Sequence, residues 1–125
     1  ETDESVPVYH HPMADRLAPV VIALGGFLGA VARYVVGTLV ADPGGTLLVN
    51  VAGSFALAAT VGVVHSRRLR LFLTTGLLSS FTTYSTFAVE SASLGLAGGA
   101  ANVAATYALG VAAAGLGLVF GRRVA

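Results

Sequence analysis

Three stretches of this 125-residue chain place polar side chains inside runs that are otherwise apolar. A polar group in hydrocarbon is costly unless it is satisfied, so each stretch is a candidate site. The densest is Thr74-Thr75-Gly76-Leu77-Leu78-Ser79-Ser80-Phe81-Thr82-Thr83-Tyr84-Ser85-Thr86-Phe87, where eight of the thirteen residues from Thr74 to Thr86 are Ser or Thr. Hydroxyls at that density either glue helices together or satisfy a helix that is broken. A break at mid-depth offers backbone carbonyls to cations and N–H groups to anions. Thr82 lies about 12 residues beyond Arg70, close to a bilayer centre, with Tyr84 and Phe87 beside it.

The second stretch carries Thr46, Asn50 and Ser54 at intervals of four, hence on one helix face. The Asn50 amide has two N–H donors, which suit either a dehydrated anion or an interhelical hydrogen bond. The third stretch is Gly25-Gly26-Phe27-Leu28-Gly29-Ala30-Val31-Ala32-Arg33-Tyr34, with the one charge inside a hydrophobic segment. Arg33 can snorkel outward, draw anions toward a vestibule, or pair with Glu90.

Composition determines which elements must carry these residues. The chain is 55% hydrophobic and 10% charged, with a mean hydropathy of +0.82. Soluble domains carry about 25% charged residues, so an ordinary soluble globule is excluded, as is a disordered chain. A net charge of +1 leaves no basic surface on the scale of a nucleic-acid backbone site. No cysteine is present, so disulfides and thiolate metal sites are absent. There is no phosphate-binding loop, no HExxH and no Ser/His/Asp set, and enzyme activity is not expected. His10, His11 and His65 read as solvated.

About 20 apolar residues span a bilayer. The expectation is an all-α membrane protein: an N-terminal tail over 1–17 and one four-helix domain over 18–123. Its spans fall near 19–41, 46–64, 70–90 and 97–120, with the third broken near the midplane. The first run passes Arg33 and three more follow, so it does not read as a cleaved leader. Asp42-Pro43-Gly44-Gly45 reads as a tight turn, His65 to Arg70 as a loop, and Ser91 to Gly99 as a hinge. Gly25 with Gly29, and Ala113 with Gly117 and Gly121, have the spacing that lets helix backbones approach in lipid. Four spans put Arg16, Arg67, Arg68, Arg70, Arg122 and Arg123 on one side and no basic residue on the other. The positive-inside rule then places both termini in the cytoplasm.

The three stretches, in this order, resemble the fluoride channel family known as Fluc or CrcB. Its patterns, approximately GGxxGAxxRY, GTLxVNxxGSF and GxxGGxTTFSTF, stand here as GGFLGAVARY (25–34), GGTLLVNVAGSF (44–55) and GLLSSFTTYSTF (76–87). The resemblance implies a fluoride-selective channel of the plasma membrane, giving fluoride resistance by passive export. It implies an antiparallel dimer in the lipid bilayer, with two fluoride pathways and one structural sodium ion, and no organic cofactor. The sodium would be held by the backbone carbonyls of Ser79 and Thr82. The pathway would comprise Asn50, Thr82, Thr83, Tyr84, Ser85, Thr86, Phe87 and Tyr107, with Arg33 and Glu90 in vestibule or structural roles.

The chain departs from the family pattern in three places. Ser79 and Ser80 replace a glycine pair, Tyr84 replaces a phenylalanine, and Val111 and Gly115 stand where serines often continue a polar track. The arginine asymmetry favours insertion in one direction and hence pairing with a homologous, oppositely oriented subunit. Two alternatives stay open: a non-conducting or one-pore subunit of such a pair, and a fluoride/proton secondary transporter. The lack of carboxylates within the spans weighs against the transporter.

Overall fold

The structure is a computed structural model, described here for residues 15–125; the tail through Ala14, with His10 and His11, lies outside the described residues. Among the described residues every element is helical. Helix α1 (Ala18–Leu39) opens with Pro19 in its first turn, where the missing N–H and fixed φ are tolerated. Helix α2 (Gly44–Val63) follows a short turn. The third segment begins as α3 (Arg67–Arg70), continues as a π-helical stretch (Leu71–Leu78), and ends as α4 (Ser79–Phe81). After an interruption come α5 (Ser85–Ser93) and α6 (Gly95–Val124).

Three helices, α1, α2 and α6, are each long and apolar enough to cross a membrane. At 1.5 Å per residue they run about 33, 30 and 45 Å, so α6 exceeds a hydrocarbon core of about 30 Å. With Leu, Val and Phe side chains exposed along these helices, the chain is a multi-pass membrane protein.

Three boundaries differ from the sequence expectation. Gly44 and Gly45 belong to α2 rather than to the turn, and the helix can start there because Gly45 has no side chain: a Cβ would press on the Val40 carbonyl at 2.7 Å. Arg67 to Arg70 are helical rather than loop: extended Ser66 caps them, its Oγ accepting from the Leu69 N–H at 3.5 Å. The expected Ser91–Gly99 hinge shrinks to a turn at Leu94, where Gly95 takes φ +73°, a conformation glycine adopts at little cost.

The bundle is built from two close helix pairs. Gly25 and Gly29 meet the π-helical stretch so closely that a Cβ would collide with the Phe72 and Leu77 carbonyls. Gly117 and Gly121 meet α2 in the same way, against the Phe55 and Ala59 carbonyls. These are the small residues whose spacing pointed to close packing, and Gly25, Gly29, Ala113, Gly117 and Gly121 are all buried. Without a hydrophobic drive between helices in lipid, such backbone proximity supplies the dispersion contacts that hold the pair.

One end of the bundle carries the arginines. Asp15 accepts from Arg68 Nε at 2.9 Å and Nη2 at 3.2 Å, and Arg67 lies 3.8 Å away. This joins the start of α1 to the start of the third segment. The Arg68 hydrogen bonds, then the Leu17 N–H, hold the Asp15 carboxyl below its ordinary range. Gly121, one residue before Arg122, packs beside Ala59 and Gly62 near the end of α2. The start of the described chain, the Arg67–Arg70 turn and the last turn of α6 therefore share one end.

Candidate functional site

The candidate site is the interruption between α4 and α5. Helix α4 stops because Thr82 turns to φ -78°, ψ 158°, which carries its carbonyl out of the helical ladder. Its N–H and its Oγ1 both still donate back to the Leu78 carbonyl, at 3.1 and 3.0 Å. Thr83 is then held by a single side chain. Asn50 Nδ2 donates to the Thr83 carbonyl at 2.9 Å, and Asn50 Oδ1 accepts from the Thr83 N–H at 2.8 Å. One amide thus replaces both backbone partners that a continuous helix would provide. The helix restarts when Thr83 Oγ1 accepts from the Thr86 N–H at 3.3 Å and donates to Thr86 Oγ1 at 3.1 Å.

Upstream, hydroxyls loosen the ladder. Thr74 Oγ1 donates to the Arg70 carbonyl at 2.8 Å, and Ser79 Oγ donates to the Thr75 carbonyl. From Leu71 to Leu78 the helix is widened to π geometry, a form frequent at functional sites. The serine and threonine density signals departure from regular helix; it does not specify π geometry.

Arg33 forms no ion pair with Glu90 among the described residues. Its Nη1 donates to the Thr82 carbonyl at 3.1 Å, so α1 fastens the break from the other side. Glu90 Oε1 instead accepts from Thr46 Oγ1 at 2.8 Å, and Asp42 Oδ1 lies 3.3 Å from the same hydroxyl. Thr46 is 5% exposed. Glu90 Oε2 is buried with no hydrogen-bond partner among the described residues. The Thr46–Glu90 pair was missed by sequence reasoning; the only local signal is Asp42 four residues before Thr46.

Two cavities flank the break. An open groove of about 570 Å³ is lined by Asn50, Ser54, Ser79, Thr82, Thr83, Tyr84, Phe87, Thr106 and Tyr107. A smaller cavity of about 160 Å³ is lined by Arg33, Asp42, Thr46, Thr83 and Thr86. Thr83 lines both. The face shared by Thr46, Asn50 and Ser54 is therefore divided: Asn50 and Ser54 line the groove, and Thr46 the smaller cavity. Ser85 lines neither, and Thr106 joins the groove without having been singled out in the sequence.

The aromatic members form a cluster on the groove wall. Phe87, only 6% exposed, stands between Tyr84, with ring centroids 5.8 Å apart, and Tyr107, at 6.1 Å and 76°. The near-perpendicular contact sets the edge of one ring on the face of the other. Tyr84 is 73% exposed and Tyr107 58%, so both rings look onto open space.

The donor set for a cation can be read from the same geometry. Continued helix would give the Ser79 carbonyl the Thr83 N–H, but Asn50 takes that N–H. The Thr82 carbonyl is rotated out and accepts from Arg33, which leaves it a second lone pair. Two neutral carbonyl oxygens released from a helix are ligands of the kind a hard monovalent cation takes, although a cation on the Thr82 oxygen would share it with the positive charge of Arg33.

The chain is 48% identical over 117 residues to "Fluoride-specific ion channel FluC 2" of Halobacterium salinarum, covering 89% of this chain and 88% of that protein. It is 46% identical over 120 residues to "Fluoride-specific ion channel FluC 1" of Haloarcula marismortui, covering 91% and 90%. It is 36% identical over 124 residues to "Fluoride-specific ion channel FluC" of Ruminiclostridium cellulolyticum, covering 90% and 95%. These relatives are ion channels and not enzymes. The matched family, described as "CrcB-like protein, Camphor Resistance (CrcB)", extends over residues 20–121, which takes in both helix pairs and the break between them, and the chain belongs to it.

Proposed function

We propose that this chain is a subunit of a fluoride-selective channel in the plasma membrane, passing the ion passively and electrogenically out of a cell whose interior is negative. Such export confers resistance to fluoride. The observation that carries the reading is the interrupted third segment, whose hydroxyls, released backbone and aromatic cluster line one groove. Fluoride is small and tightly hydrated, so a pathway must replace its water with donors. The second N–H of Asn50 and the O–H of Thr86, whose oxygen accepts from Thr83, are donors of that kind. Ring edges carry positive potential and favour an anion over the ring face. A row of modest sites allows the ion both to enter and to leave.

Sodium, when bound, supplies positive charge that offsets the cost of an anion in low dielectric, and the Ser79 and Thr82 carbonyls are the residues that would hold it. Arg33 acts on the same centre by keeping the Thr82 carbonyl in place. It also lines the smaller cavity with Asp42, Thr83 and Thr86, where the Asp42 carboxylate offsets its charge.

The groove is open along the exposed rings of Tyr84 and Tyr107, and an antiparallel second subunit would close it. Six of the seven arginines fall at or beyond one end of the spans, so the chain inserts one way, with both termini cytoplasmic. Its partner is then a homologous subunit of opposite orientation.

The test is fluoride efflux from liposomes, followed with a fluoride electrode and with chloride as the control ion. Fluoride-selective, electrogenic efflux is expected when the chain is reconstituted with an oppositely oriented homologue. Efflux from the chain alone would support the channel and refute the one-way arrangement. No efflux with any homologue of opposite orientation would refute the channel.

A further inference from the structure

Helix α5 has nine residues, too few to be stable alone, yet it carries Phe87, the central ring of the cluster. Something outside α5 must set the height and rotation of that ring. The contacts that do so converge on Ser91, one turn beyond it. Ser91 Oγ donates to the Phe87 carbonyl at 2.7 Å. The same oxygen accepts from Asn102 Nδ2 of α6 at 2.9 Å. Next to this bond Gly99 lies so close to the Ser91 carbonyl that any Cβ would collide with it. Helix α6 therefore holds Ser91 by one backbone approach and one side-chain hydrogen bond.

The relay ends on the aromatic cluster. Asn102 and Tyr107 belong to the same helix, and Phe87 meets Tyr107 at 76°. A rigid α6 thus holds Phe87 twice, through its backbone by way of Ser91 and through its ring by way of Tyr107. We propose that Asn102 and Ser91 are positioning residues for the pathway, a two-step hydrogen-bond relay that fixes the Phe87 ring against Tyr107. The proposal deepens the channel reading and rests on it for its functional consequence. Neither residue touches the groove; both act through Phe87.

Two variants interrupt the relay at different bonds: Ser91→Ala removes the shared hydroxyl, and Asn102→Leu removes the donor at similar size. Ser91→Thr keeps the hydroxyl and is the rescue. The direct readout is the aromatic resonances of Phe87 in the full-length chain in detergent micelles. The Phe55–Phe120 pair, whose centroids are 5.9 Å apart, is the internal control. Ser91→Ala and Asn102→Leu are expected to shift Phe87 and leave Phe55 and Phe120 unmoved. The double variant should shift Phe87 no further than the larger single one, since one chain of bonds is cut twice. In the conducting assembly, each single variant is expected to lower fluoride efflux at least about tenfold, with Ser91→Thr near the parent. An unmoved Phe87 overturns the relay, whatever happens to efflux. Additive shifts in the double variant overturn it as well. A shifted Phe87 in a protein that passes no fluoride in parent form upholds the positioning and refutes the channel reading instead.

Discussion

The seam between α2 and α6 and the break between α4 and α5 hold the chain by opposite means. Along the seam, glycines bring backbone against backbone: Gly117 meets Phe55 and Gly121 meets Ala59. At the break, side chains hold single backbone groups at hydrogen-bond distance: Asn50 holds Thr83 and Arg33 holds Thr82. The seam is sensitive to volume and indifferent to polarity. The break is sensitive to donor and acceptor type, and much less to size. Membrane proteins have no hydrophobic drive between helices, so the regular parts rest on close packing. The break rests on polar groups that would otherwise be unsatisfied.

Substitutions of opposite character test that contrast. The largest effect is expected for Gly117→Val, whose Cβ would strike the Phe55 carbonyl. We expect a loss of about 3 kcal/mol, seen as failure to run as a monodisperse species in detergent. A well-behaved Gly117→Val protein would mean that the seam has slack and the contrast is false.

Asn50→Leu comes next. It conserves bulk but strands the N–H and the carbonyl of Thr83, at about 1–3 kcal/mol for each unsatisfied group. Thermal unfolding in detergent should register the loss, and fluoride efflux should disappear.

Arg33→Met keeps the apolar stem and removes one charged hydrogen bond to the Thr82 carbonyl. About 1.5–3 kcal/mol is the range for such a bond, and efflux should fall more than it does for Arg33→Lys. Equal efflux in the two variants would show that the Thr82 contact is not what α1 contributes to conduction.

Asp15→Asn should have the smallest effect, because exposed ion pairs are screened by water and salt. The folded Asp15 carboxyl titrates below its ordinary value. Its contribution is therefore complete above the ordinary aspartate pKa of about 3.9 and is lost as pH falls through the folded value. Parent and variant melting temperatures should differ slightly at neutral pH, converge in acid, and converge again in high salt.

The sequence by itself determined the class of molecule. Low charge and long apolar runs require a membrane bundle, because no soluble fold can hide that much apolar surface. Spacing alone placed Gly25 with Gly29 and Gly117 with Gly121 at contacts, since the helical period puts residues four apart on one face. The hydroxyl run from Thr74 to Thr86 marked the third segment as irregular, and Asn50 stood out as an amide among apolar neighbours.

Only the tertiary structure decided how those residues are used. Asn50 is bonded to Thr83, 33 positions away, and Arg33 to Thr82 across 49. Glu90 bonds to Thr46 instead of Arg33, although charge alone favoured the arginine. The π-helical stretch and the Asn102–Ser91 relay were likewise invisible in local pattern. Periodicity reports which face of a helix a residue occupies. It carries no information on which group another helix brings to that face, and a buried hydrogen bond is set by that arrival.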